Sequence, residues 1–260
     1  MHAAKFFSRS PARIAGIFLL LIFCGQTSRA ENSRVAELIA RGDQADKKDD
    51  TRTALAFFLE AEKLSPNNAT LLARISDEYS ALVEISKPAD AEKAARACFA
   101  YAQRAVAAGP GNAKAHLALA IGYGRMTDYT DNKTKLEYSR IIRTETEKSI
   151  ALDPTDDFAY YVLGRWNYGF ATLNPVLRFF ARLVYGTMPQ TTLEDAEKYL
   201  KKAAALAPKR IIHHLELAHT YDAMGKKDLA EKEWKIVLAL QPTDKEDRDA
   251  QDEARKALKH

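Results

Sequence analysis

The chain has 260 residues, 47% of them hydrophobic, and a formal net charge of +4; that length allows one sizeable core or a stacked array of small units. Lys5, Arg9, Arg13 and Arg29 fall in residues 1–30 and no acid does, so the remainder balances at 35 basic against 35 acidic residues. That balance excludes bulk attraction to nucleic acid or anionic membrane, so that any such binding must come from a local patch, and with only Cys98 beyond residue 30 a disulfide framework is excluded as well.

Residues 1–30 carry the tripartite pattern of a secretory leader. A basic start precedes an apolar run from Ile14 to Cys24, and Ser28-Arg29-Ala30 places small residues at −3 and −1 before Glu31. The run of eleven residues is shorter than the roughly 20 needed to span a bilayer. The expectation is a cleaved signal peptide and a secreted or periplasmic chain, with a membrane anchor through an uncleaved N-terminal segment as the alternative. Lipidation at Cys24 is disfavoured by the bulk of Phe23.

Beyond the leader five prolines recur in one context, each closing an Ala- and Leu-rich helical run: Pro66, Pro110, Pro154, Pro208 and Pro242. Their separations are 44, 44, 54 and 34 residues. The last is the bare period of a tetratricopeptide repeat, and the others are that unit with insertions. Register agrees. The final unit places Leu217, Ala218, Tyr221, Gly225, Ala230 and Trp234 at the signature positions, and the first places Leu38, Gly42, Ala54, Phe58 and Ala61 there. Small residues sit where paired helices approach closely, large ones fill the gaps between hairpins, and Pro breaks the chain before the next hairpin. The reading is an all-α, tetratricopeptide-like helical-repeat solenoid over residues 31–243, with five hairpins and insertions.

The insertions follow in chain order. Ser86 or Asp90 is the expected start of a helix running to Gly109, and a polar loop near Thr127–Asn132 precedes another. A twenty-residue insert follows "YYVLGRWNYGFATL". Within it Asn174 is the expected cap, Pro175 the first helical residue and Gly186 the stop. Val176, Leu177, Phe180, Leu183 and Val184 form one stripe of this 174–186 helix, and Arg178 and Arg182 lie on another side. Such a helix either folds over the groove as a lid or lies in a membrane interface, with Leu177, Arg178, Phe180 and Arg182 in contact; the lid is the favoured expectation. The charged residues 244–260 suit a polar C-terminal capping helix.

With that register, "LGRW" at Leu163–Trp166 and "EDAEKYLKKAAALAP" at Glu194–Pro208 resemble the regulator of microtubule dynamics family, from about residue 35 to the end. The resemblance implies a helical-repeat domain and a microtubule-associated role for a cytosolic chain.

Catalytic patterns are missing: there is no His-Glu-x-x-His, Gly-x-Ser-x-Gly, Cys-x-x-Cys or phosphate-binding Gly-Lys loop, so a non-enzymatic module without cofactor is expected. His213, His214 and His219 are not spaced to converge on a metal; His214 is read as the inter-hairpin residue, with His213 pointing elsewhere. In each hairpin the first helix lines the inner groove, and the inner positions of two adjacent units collect Leu117, Ile121 and Arg125 with Phe158, Tyr161, Arg165 and Tyr168. Two guanidinium forks over an apolar floor suit a carboxylate or phosphate on a greasy or extended body. The expected partner is therefore an acidic peptide or an anionic amphipathic lipid, with peripheral membrane contact. A scaffold using the convex face is the alternative. Trp166, one position beyond Arg165, is expected to pack into the neighbouring hairpin.

Overall fold

The connectors between hairpins end in side chains that start the next helix. Asn68, Asn112 and Asp156 accept hydrogen bonds from the backbone N–H groups of Leu71, Ala115 and Phe158, and Thr192 closes a reciprocal capping box with Asp195, satisfying donors that a helix start leaves unpaired. The computed structural model describes residues 32–185 and 191–259, so the leader and Gly186 lie outside the described residues.

The helices in order are α1 (32–46), α2 (Thr51–Leu64), α3 (Ala69–Ile85), α4 (Pro88–Ala108), α5 (Ala113–Met126), α6 (Asn132–Leu152), α7 (Asp157–Ala171), α8 (Pro175–Tyr185), α9 (Leu193–Leu206), α10 (Ile211–Ala223), α11 (Lys227–Ala239) and α12 (Lys245–Ala257). No strand occurs among the described residues. Five hairpins result, α1/α2, α3/α4, α5/α6, α7/α9 and α10/α11, with α8 inserted in the fourth. α4 starts one residue after Lys87 on Pro88, a residue suited to the first helical turn, so neither Ser86 nor Asp90 supplies its cap.

Close approach inside the hairpins explains the small residues. Gly42 faces the Phe58 ring, and a Cβ at Gly164 would lie 2.6 Å from Leu200 Cγ. Gly225 turns α10 into α11 with φ +70°, a left-handed conformation that costs glycine little. Between hairpins, α4 packs on α5, α6 on α7 and α9 on α10. The inner helices α3 and α5 also meet, as do α7 and α10, which curves the array with α1, α3, α5, α7 and α10 on the inside. Cys98 is buried in α4, where Ser76 Oγ donates to its carbonyl at 2.9 Å; desolvation pushes the thiol up to about 11, which suits packing and not reactivity.

The last hairpin is finished by α12. Ala250 and Ala254 are buried, and the Gln251 amide donates to the carbonyls of Val237, Leu238 and Leu240, the acceptors that the end of α11 leaves open. α8 departs from expectation. Its principal neighbour is α6, an outer helix, and Val176, Phe179, Phe180 and Leu183 stand in solvent. The expected lid over the groove is therefore not formed: Ala181 anchors the opposite side of the helix, so the apolar stripe points away from the solenoid.

Candidate functional site

The inner helices carry the groove, and its central stretch comes from α3, α5, α7 and α10. Arg125 and Arg165 both stand near Glu84 of α3. Neither is free. Arg125 Nε donates to Ser80 Oγ at 2.8 Å and its Nη1 pairs with Glu84. Arg165 Nε lies 3.3 Å from the Glu216 carboxylate, and its Nη1 donates to the Tyr161 hydroxyl at 3.2 Å. Desolvation lowers the Arg165 pKa, but Tyr161, Glu216 and Glu84 together raise it, so Glu84 serves both cations.

The apolar floor is thinner than the sequence implied. Leu117 and Tyr161 are buried, while Ile121, Phe158 and Tyr168 are half-buried. The Tyr161 ring packs 4.9 Å from Phe158 and 5.4 Å from His213. Its burial, with Glu216 and Glu246 nearby, pushes the phenol up to about 12. Leu117 and Tyr161 thus act mainly as core, Phe158 packs against the core cluster of the last hairpins, and Ile121, Arg125, Arg165 and Tyr168 keep part of their surface open.

Toward α1 the face turns acidic. Asp43 pairs with Arg74, and Lys114 with Asp156 at 2.8 Å. Desolvation raises Asp77 to about 7 and Glu78 to about 8, with Asp46 close to both. At the other end Glu246 of α12 is raised by desolvation and by Glu84, so the capping helix brings a further carboxyl toward the central groove. With Asp157 and Arg210, which pair at 2.9 Å beside Phe158, the carboxyls Asp43, Asp46, Asp77, Glu78, Glu84, Asp156, Asp157, Glu216 and Glu246 are nine against the five cations Arg74, Lys114, Arg125, Arg165 and Arg210.

Sequence reasoning missed Glu84, Glu216 and Glu246. Glu84 was accessible to it, four residues beyond Ser80 and hence on the same helix face. Glu246 was not, because its approach depends on the curl of the whole array.

The three histidines turn to three carboxylates. His213 is fully buried and meets Asp157 at 2.7 Å; His214 meets Glu233 at 2.7 Å and His219 meets Glu253 at 2.8 Å. His213, and not His214, is therefore the residue that bonds across hairpins, from α10 to α7. Among the described residues no three metal-ligating side chains gather. Arg178 of α8 donates to the backbone carbonyls of Ala171 and Leu173 at 3.1 and 3.4 Å; Arg182 and Phe180 are exposed, and the Leu177 side chain lies outside the described residues.

Comparison with known proteins agrees with this architecture. TTC0263, a thermophilic TPR protein of Thermus thermophilus, superposes with a TM-score of 0.63 at 17% identity, covering 87% of this chain and all of that one. Pseudomonas aeruginosa pilF gives 0.53 at 13% identity, covering 88% of this chain and 92% of its own. At such identities the likeness establishes the fold alone.

The family described as "Regulator of microtubule dynamics protein 1-3" matches residues 38–260. Regulator of microtubule dynamics protein 1 of Mus musculus is 27% identical over 87% of this chain and 74% of its own length. The human protein 2 is 27% identical over 60% of this chain, which spans only 38% of that relative. These names overturn the secreted or periplasmic placement expected from residues 1–30, because microtubules are polymers of the cell interior. The match over residues 38–260 makes the chain a member of the regulator of microtubule dynamics protein 1-3 family.

Proposed function

We propose that the chain is a non-catalytic adaptor that holds a basic, extended segment of a partner protein along its concave face and serves its family's microtubule-linked role through that partner. One observation carries the reading: nine carboxyls stand around the groove against five cations, each of those cations is already ion-paired, and the carboxyls left over, Asp46, Asp77, Glu78 and Glu246, have raised pKa values that an approaching cation would bring back down. An anionic ligand, whether acidic peptide or lipid, would have to displace Glu84 from Arg125 and Glu216 from Arg165, exchanging one carboxylate partner for another at little gain. A lysine or arginine side chain instead meets Asp46, Asp77 or Glu246, none of which has a cation bonded to it among the described residues. The expectation of an acidic ligand is revised accordingly. Neighbouring charges of one sign raise the local concentration of an opposite partner and speed its encounter.

The test is fluorescence anisotropy on the full chain with two labelled extended peptides, one alternating Lys and Arg with small apolar residues and one with Glu at every basic position. The basic peptide is expected to bind with an affinity that falls as salt rises, and the acidic one to bind at least about tenfold more weakly. Tighter binding of the acidic peptide would overturn the reading.

A further inference from the structure

We infer that α8, with the hollow beside it, docks an acidic amphipathic helix of a partner protein, whose apolar side chains cover the outward ridge while its carboxylates meet Arg178 and Arg182. This surface is separate from the groove, because α8 sits beside α6 on the outer side of the array.

Val176, Phe179, Phe180 and Leu183 recur at i, i+3, i+4 and i+7 and are each between 55% and 67% exposed, so a continuous apolar seam runs along the helix. Side chains at this spacing present knobs and holes to a facing helix. The eleven residues of α8 make three turns, so a partner segment of similar length covers the seam. Phe179 and Phe180 lie edge to face with ring centroids 5.7 Å apart. Beside Phe179 is a hollow of about 420 Å³ whose other walls are Leu173, Pro175, Arg178 and Arg182. The carbonyls of Ala171 and Leu173 hold Arg178 there at 3.1 and 3.4 Å. Its guanidinium is placed before a partner arrives, and little freedom is lost on binding.

Charge selects the occupant. From Phe158 to Leu193 the sequence has no Asp or Glu, and its cations are Arg165, Arg178 and Arg182. Arg165 pairs with Glu216, whereas Arg178 bonds only to backbone carbonyls in the described set and Arg182 meets no carboxylate among the described residues. Two guanidinium groups one helical turn apart beside an apolar seam call for carboxylates on the facing helix, the way flanking charges choose partners in helix pairs. A second copy of the chain would bring the same arginines to a self-facing seam with no acid to answer them. A bilayer is poorly matched for a different reason: two cations fall short of the about four to eight that a basic segment gathers to hold an anionic surface. An acidic helix satisfies the seam and the arginines together.

The experiment is fluorescence anisotropy on the full chain with two labelled peptides, stapled as helices because short isolated ones are marginal in water. Both carry Leu at i, i+3, i+4 and i+7; one has Glu at the flanking positions and the other Gln. The Glu helix is expected to bind at least about tenfold more tightly, with an affinity that falls as salt rises. Phe179→Asp and Arg182→Glu, both at exposed positions, should each weaken it about tenfold or more while the circular dichroism spectrum stays unchanged. Glu84→Lys, which frees Arg125 in the groove, should leave Glu-helix affinity as it was. The inference is overturned if the Glu helix does not bind, if the Gln helix binds as tightly, or if the α8 variants bind as the parent does. A gain with Glu84→Lys would also overturn it, by moving the helix into the groove. A parent dimer in light scattering that Phe179→Asp dissociates would give the ridge to a second copy. Sedimentation with phosphatidylserine vesicles that Phe179→Asp abolishes, without any helix binding, would give it to a membrane.

Discussion

Trp166 tests the packing that joins the two halves of the solenoid. Its indole is 8% exposed, donates to the Ser139 carbonyl and hydroxyl at 2.9 Å, lies 4.5 Å from the Phe170 ring and carries the Arg143 guanidinium at 5.1 Å. These contacts tie α7 to α6, the helix through which the fourth hairpin meets the third. Trp166→Ala should cost about 3–5 kcal/mol, because a large ring leaves a cavity that helices on two sides cannot fully close. Trp166→Phe keeps the ring against Phe170 but orphans the Ser139 acceptors, for a smaller loss of about 1–3 kcal/mol. Urea denaturation followed by circular dichroism gives both values. In a repeat array stability is a sum of hairpins and their interfaces, so the Ala variant should also broaden or split the transition as residues preceding α7 unfold apart from those that follow. A loss below about 1 kcal/mol for Trp166→Ala, with an unchanged slope, would refute the assignment of this residue to the joint.

Two further outcomes follow from single contacts. Gly164→Ala places a methyl 2.6 Å from Leu200 Cγ and close to that residue's backbone N at 3.3 Å; overpacking of about 1–3 kcal/mol is expected in thermal denaturation, while Gly169→Ala, with open space around it, should fall within about 0.5 kcal/mol of the parent. Both ring nitrogens of His214 face acceptors, the Glu233 carboxylate at 2.7 Å and the Pro208 carbonyl at 3.1 Å, so the folded state favours the imidazolium. Burial pulls the His214 pKa down, but the bonds to Glu233 and Pro208 and the Glu233 charge raise it above the ordinary histidine value. Its contribution is then fully present below about pH 6.5 and lost as pH rises through the raised folded value. The gap in melting temperature between the parent and His214→Gln should narrow as pH rises from about 6.5 through the raised folded value. His213, whose pKa burial lowers, acts in a separate window below about pH 6.5.

The fold was legible because its periodic features are local. Pro66, Pro110, Pro154, Pro208 and Pro242 end helices by chemistry that needs no tertiary context, and Gly42 and Trp166 occupy the close-approach and inter-hairpin positions that register assigned them. The candidate site was legible only in part. Spacing brought Arg125 and Arg165 to one face, but the charge of that face depends on what lies opposite each guanidinium. Glu216 reaches Arg165 from α10, the next hairpin, and Glu246 arrives from a helix outside the repeat. The insert helix failed as a lid for a related reason. Amphipathicity specifies that a face must be covered, and not by what; the stripe of α8 has the same pattern whether it turns inward or outward.

The groove's sign of charge is the point on which the functional account stands. Reversing it with Glu84→Lys and Glu246→Lys at exposed positions, together with Glu216→Gln at the buried partner of Arg165, gives the most direct measurement when isothermal titration is run with the basic and acidic extended peptides. The account predicts that the triple variant loses the basic peptide by about tenfold or more and gains the acidic one, with its helix content intact. Unchanged affinity for the basic peptide in the folded variant would contradict it.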